Sequence, residues 1–214
     1  MKMIAKSLSL LVVVLWISSS ASATTMTCGI DTVDNVAIGL APGSGNTLGC
    51  GSMTFSNFIV TAIPTGSATI GISNLSAFVG GIASLEFQLG QIVGTPSDIL
   101  MFYEVTGGLN VVDLKNGGTN VTIQEVVCAV PFSGPACSSE LATLIVPGQG
   151  TAVSTAFPIT SPAYIKKDIQ FGAVGAFISD FSNSHAVPEP ISFVMLGTGL
   201  LGLGLFRRVS RRNA

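Results

Sequence analysis

The chain has 214 residues, 48% of them hydrophobic and only 9% charged, with a formal net charge of −2 at pH 7. A charged share far below the roughly 25% of ordinary globular chains excludes the charge-rich composition of a disordered segment. The lack of a basic excess argues against nucleic acid as a partner.

Residues 1–23 have the layout of a secretory signal peptide. Lys2 and Lys6 supply a basic start, Leu8–Ile17 an apolar stretch of ten residues, and Ala21-Ser22-Ala23 an A-x-A cleavage site. Ten residues are too few to span a bilayer, so cleavage after Ala23 is expected.

Residues 24–186 are then the exported domain, long enough for one real core. Lys115, Lys166 and Lys167 stand there against ten Asp/Glu, a net of −7. The domain also holds all four cysteines, Cys28, Cys50, Cys128 and Cys137. An even number in an exported chain points to disulfides. Three pairings are possible; the local spacing favours Cys28–Cys50 and Cys128–Cys137, each closing a loop that contains Gly and Pro. There is no C-x-x-C, and the one histidine, His185, falls in a polar stretch, Asp180–Val187, that reads as a linker. No metal or other cofactor is expected.

In chain order, a turn is expected near Asp31–Ile38, followed by a succession of strands. Phe58–Ile63 ends at Pro64-Thr65-Gly66, and Ala68–Ile72 and Ala77–Val79 are split by Ser73-Asn74. Leu85, Phe87 and Leu89 alternate with Glu86 and Gln88, the period of a half-buried strand. Ile99–Val105 is dense enough in apolar residues to predict burial on both faces. Gly107-Gly108 and Asn116-Gly117-Gly118 join it to Leu109–Leu114 and Asn120–Val127 as a meander of hairpins. Leu141–Val146, Ala152–Phe157, Tyr164–Phe171 and Ala173–Phe181 follow. Short strands at close spacing, without a sustained helical period, predict an all-β domain. The expected fold is an antiparallel, jelly-roll-like β-sandwich.

Candidate chemistry in the domain is sparse. A nucleophile activated by histidine needs that histidine inside the fold, and the linker assignment of His185 removes it. Two converging carboxylates would serve a glycosidase, but Glu86, Glu104 and Glu125 are expected to face solvent. Asp31-Thr32-Val33-Asp34-Asn35 lacks EF-hand spacing and reads as a polar turn rather than a calcium loop. A non-enzymatic domain is the expectation.

The last segment, 187–214, has three parts: Pro188-Glu189-Pro190, an apolar run Ile191–Phe206, and a basic tail, 207–214, with Arg207, Arg208, Arg211 and Arg212. The 16-residue run would span roughly 24 Å as a helix, a marginal fit to a core of about 30 Å. Arg207 and Arg208 would snorkel, and the positive-inside rule keeps the arginines in the cytoplasm. Gly197-Thr198-Gly199-Leu200-Leu201-Gly202 has the form of a dinucleotide fingerprint, but no strand precedes it and no acidic residue follows at the required distance.

Those three parts in that order resemble the PEP-CTERM sorting signal of Gram-negative bacteria. The resemblance implies recognition of Pro188-Glu189-Pro190 by an exosortase, a membrane-embedded cysteine transpeptidase. It implies export through the inner membrane, transient anchoring by the C-terminal transmembrane helix, and delivery to the cell surface or beyond. Carriers of the signal are often found where exopolysaccharide or biofilm matrix is made. Cys28, Leu48-Gly49-Cys50, Thr54-Phe55-Ser56-Asn57-Phe58 and Lys167-Asp168-Ile169 resemble a group of exported PEP-CTERM proteins; this adds to the fold expectation only. Two functions follow as expectations: a structural protein of the surface or matrix, or a module that binds or cleaves exopolysaccharide. Scarce stacking residues weigh against the second, since the only tryptophan is Trp16 and the domain's tyrosines are Tyr103 and Tyr164.

Overall fold

The computed structural model describes residues 23–63, 67–93, 98–172, 176–178 and 180–186. Ala21, the motif Pro188-Glu189-Pro190, the apolar run 191–206, and Arg207, Arg208, Arg211 and Arg212 lie outside the described residues. In chain order the elements are β1 (Thr25–Thr27), α1 (Val36–Gly39), β2 (Thr47–Cys50), β3 (Met53–Ile63), β4 (Ser67–Ile72), β5 (Ala77–Val79), β6 (Ile82–Val93), β7 (Asp98–Thr106), β8 (Leu109–Asn116), β9 (Val121–Cys128), β10 (Glu140–Pro147), β11 (Ala152–Thr160), β12 (Ala163–Phe171) and β13 (Asp180–Ala186).

They form two sheets. One runs β1-β2-β3-β7-β12-β9-β10, the other β11-β8-β13-β6-β4 with β5 on β6. Pairing is antiparallel except between β1 and β2. The chain passes repeatedly between the sheets, at β3 to β4, β6 to β7, β7 to β8, β8 to β9 and β10 through β13. This is the expected jelly-roll-like β-sandwich. Strand alternation sends every second side chain inward. The core between the sheets therefore collects Phe55, Phe58, Ile99, Met101, Ile123 and Ile165 from one side and Ile70, Leu85, Phe87, Val112, Leu114 and Phe181 from the other. The expected turn near Asp31 carries α1, where the Asn35 side chain accepts a hydrogen bond from the Ala37 N–H at 3.1 Å. That cap and the burial of Val36 and Leu40 hold the single turn in place.

Both expected disulfides form, Cys28–Cys50 with Cα atoms 5.0 Å apart and Cys128–Cys137 at 6.0 Å. The first joins the turn after β1 to the end of β2. The second closes a loop that folds over the outer face of the seven-stranded sheet.

Three sequence expectations need correction. Asp180–Ala186 is not a linker but β13, hydrogen-bonded between β6 and β8 in the middle of the second sheet. Its inward side chains are Phe181, Asn183 and His185, and two polar residues at inward positions disguise the strand's alternation. Of the expected strand Ala173–Phe181, residues 173–175 and 179 lie outside the described residues; Phe177 bridges Thr119, and Asp180 and Phe181 open β13. The stretch Ile99–Val105, expected to be buried on both faces, alternates strictly between buried and half-buried positions. Its outward Phe102 is partly covered by Phe132 of the disulfide loop, with ring centroids 5.5 Å apart. Finally, β7, β8 and β9 are not a meander. Gly107 and Gly108, with φ of 110° and 91°, carry the chain across to the other sheet. Buried Asn116 brings it back: its Nδ2 donates to the carbonyls of Val121 (2.7 Å) and Val146 (3.1 Å), and its Oδ1 accepts from the Gly118 N–H (2.7 Å).

Candidate functional site

Two features of the sandwich stand out. The first lies between the sheets. Lys167 of β12 and Glu125 of β9 are direct cross-strand partners on the inner face, and neither is exposed to solvent. Lys167 Nζ donates to Glu125 Oε2. The side chain of Asn183, reaching across from β13, also lies at the Glu125 carboxyl and favours its charged form, while Glu125 Oε1 has no hydrogen bond of normal geometry. The Tyr103 hydroxyl donates to Asn183 Oδ1 at 2.8 Å and lies 3.2 Å from His185 Nε2. Asn183 Nδ2 donates to the Asp113 carbonyl, and the Ser184 N–H donates to Asp113 Oδ1 at 2.6 Å.

Rings wall this cluster. Lys167 Nζ lies 6.0 Å from the centroids of Phe87 and Tyr103 and 5.7 Å from that of Phe181. Phe55 meets His185 edge-on at 4.9 Å. Such surroundings penalise charge. Burial pushes the Glu125 carboxyl up, against the pull of Lys167, and pushes the Lys167 amine down, against the pull of Glu125. Burial, with a smaller contribution from Glu125, raises the Tyr103 phenol well above its ordinary value. His185 is pushed down to about 3, by burial first and the Lys167 charge second, so its imidazole is neutral at neutral pH. An ion pair in such a place is seldom the most stable way to fill a core.

The second feature is a groove of about 700 Å³ on the outer face of the seven-stranded sheet. Leu100, Phe102 and Glu104 of β7 and Tyr164 of β12 line it, with Ile59 and Ile63 of β3 and with Pro42. Phe132, Gly134 and Pro135 of the disulfide loop also line it. Lys166 Nζ donates to the Pro135 carbonyl at 3.2 Å and so pins that loop to the sheet. Asn57 sits at a bulge in β3 with φ of 57°, a value asparagine tolerates better than most residues, and its Nδ2 donates to Glu104 Oε2 at 2.8 Å. Partial burial, then the neighbouring Glu104 charge, raise the Tyr164 phenol. Tyr103 borders the groove as well, but its ring is turned into the core.

The structure redistributes the residues singled out in the sequence. Glu125, expected at the surface, is fully buried, and His185, expected in a linker, is a core residue. Glu86 and Glu104 are half-buried, and Glu104 faces the groove. The four cysteines are all in disulfides. Asp31 caps a turn, with Oδ2 accepting from the Thr27 N–H at 2.7 Å. Ala23 is the first described residue, and the Thr24 N–H donates to Asn46 Oδ1 at 2.9 Å. Sequence reasoning missed Lys167, although its position was legible: it continues the inward series Ala163, Ile165, Ile169, as Glu125 continues Val121, Ile123, Val127.

Comparison with known proteins adds one identification and some distant likenesses. Residues 186–212 match the family described as the PEP-CTERM protein-sorting motif, which indicates export and a C-terminal sorting signal. The sequence matches no curated protein. Among solved structures, TmCBM61 in complex with β-1,4-galactotriose is similar at 14% identity and a TM-score of 0.33, over 60% of this chain and 84% of that one. CBM4 is similar at 10% identity and a TM-score of 0.34, over 72% and 90%. A family 29 carbohydrate-binding module is similar at 15% identity and a TM-score of 0.24, over 61% and 89%. Overlaps this slight carry no ligand from those proteins to this chain.

Proposed function

For a chain that carries a PEP-CTERM sorting motif directly behind a β-sandwich, we propose a non-enzymatic structural role at the cell surface or in the extracellular matrix, delivered by an exosortase-type enzyme. The observation that carries this reading is the junction at Ala186, where β13 ends and the matched motif begins. No spacer intervenes, so the sandwich is held close to the inner membrane until Pro188-Glu189-Pro190 is processed. The non-enzymatic part is supported by what the candidate nucleophiles and bases are doing: the cysteines are in disulfides, and His185 is locked against Tyr103 and Phe55 out of reach of solvent. Replacing Pro188, Glu189 and Pro190 together with alanine should leave membrane insertion intact, because the apolar run and the basic tail are unchanged. Processing should stop, so that full-length protein accumulates in the inner membrane of a host that has the sorting enzyme. Wild-type processing of this variant, seen by immunoblot of fractionated cells, would overturn the reading.

The outer groove supports a second role for the same domain, binding of exopolysaccharide. Phe102, Phe132 and Tyr164 offer ring surface, and the Asn57–Glu104 pair offers hydrogen-bonding groups that suit sugar hydroxyls. A glycan array probed with the exported domain tests it. Binding that Phe132→Ala removes supports the groove, and an array without signal leaves the structural role alone.

A further inference from the structure

The buried cluster brings together the three groups needed to make an amide bond. Lys167 supplies an amine, Asn183 a carboxamide, and Glu125 a carboxyl group in contact with both. All three are fully buried, and the rings of Phe87, Tyr103 and Phe181 surround the amine. Lys167 belongs to one sheet and Asn183 to the other, and Glu125 stands beside Lys167. We propose that Lys167 and Asn183 are joined by an intramolecular isopeptide bond, formed in the folded domain with Glu125 as the proton-transfer group.

The step balances without any co-reactant. The unprotonated Lys167 Nζ attacks Asn183 Cγ, and negative charge develops on Asn183 Oδ1. The Tyr103 hydroxyl already donates a hydrogen bond to that oxygen at 2.8 Å, so the donor is in place where the charge appears. Glu125 gives its proton to the departing Asn183 Nδ2 and takes one from Nζ. A C–N bond forms between Cγ and Nζ, the Cγ–Nδ2 bond breaks, and one ammonia leaves. No electron changes hands, and Glu125 ends as it began. Burial favours the reactive forms, since it lowers the amine and raises the carboxyl. Fixed geometry supplies the rest, because the packing of two sheets holds Lys167 and Asn183 on the same Glu125 carboxyl.

The bond has a mechanical consequence. β13 is the last strand before the sorting motif, so tension on the anchor is delivered to it first. A covalent tie from Asn183 to β12 would clamp that strand to the opposite sheet, so that it could not be peeled from β6 and β8 alone.

The test is peptide mapping of the full chain expressed in an exporting host, purified, reduced and alkylated, and analysed by mass spectrometry. Internal peptides make the result independent of processing at either end, so failure of the sorting reading would not affect it. The expected result is a branched peptide joining the segments around Lys167 and Asn183, lighter than their sum by one ammonia. Glu125→Gln should abolish that peptide and return the two linear segments. Wild-type protein that yields only linear peptides with free Lys167 and intact Asn183 would overturn the proposal. So would a branch between Lys167 and Glu125 with loss of water, or a branched peptide that persists in Glu125→Gln. Because the decisive observation is made on wild type, a Glu125→Gln protein that failed to fold would leave the proposal equally open to refutation.

Discussion

Replacing His185 with glutamine should flatten the pH dependence of the domain's stability between about pH 6.5 and pH 4. His185 is fully buried, and its proton affinity is pushed down to about 3. In the unfolded chain it returns to the ordinary value of about 6.5. Between those limits the unfolded state binds a proton that the native state refuses, so stability rises with pH and is lost on acidification. Each pH unit below about 6.5 then costs about 1.4 kcal/mol, or roughly 3 kcal/mol by pH 4. That is a large part of a typical domain stability of about 5–15 kcal/mol. The titratable groups that face the imidazole are Tyr103 of β7 and Lys167 of β12, and Lys167 in turn contacts Glu125 of β9. The difference between wild type and variant isolates His185 from them. Glutamine is uncharged at every pH and can still meet the Tyr103 hydroxyl. The assay is urea unfolding followed by circular dichroism at several pH values from 7 to 4. Wild type should lose about 1.4 kcal/mol per unit more than His185→Gln. Parallel curves for the two proteins would show that the imidazole is not held neutral in the core.

Other expected outcomes follow from the packing. Phe181→Ala removes a fully buried ring stacked on Phe87 at a centroid distance of 4.9 Å; it should cost roughly 3–5 kcal/mol in chemical unfolding. Replacing Cys128 and Cys137 with serine opens the loop that covers Phe102 and should lower unfolding free energy by about 2–3 kcal/mol, with a fall in melting temperature as the check. Gly107→Ala should destabilise more than an ordinary surface change, because the added Cβ would lie 2.2 Å from the Ser52 carbonyl oxygen at a φ of +110°; a loss of at least about 1–3 kcal/mol is expected. Circular dichroism of the exported domain should show a β spectrum, and a strong helical double minimum would contradict the strand assignment.

Much of this protein was legible in the residues themselves. The sorting motif is contiguous, so its three parts can be read without knowing the fold. The strands announce themselves through β-branched runs and turn residues, and the short sequence separations of 22 and 9 within each cysteine pair made the pairing local. What could not be read is how distant strands meet. Alternation tells which side chains share a face, but not which face is inside or which strand lies opposite. Gly107-Gly108 looks like a hairpin turn in sequence, and only the packing of β8 against β11 and β13 shows it to be a crossing between sheets. His185 and Asn183 make β13 look like a linker because isolated polar residues favour solvent. They are buried because Tyr103 and Asp113, far away in the chain, supply their hydrogen bonds. Lys167 and Glu125 sit at inward positions that the sequence displays openly. Yet their meeting with each other and with Asn183 is a property of three strands in two sheets, and long-range pairing decided it.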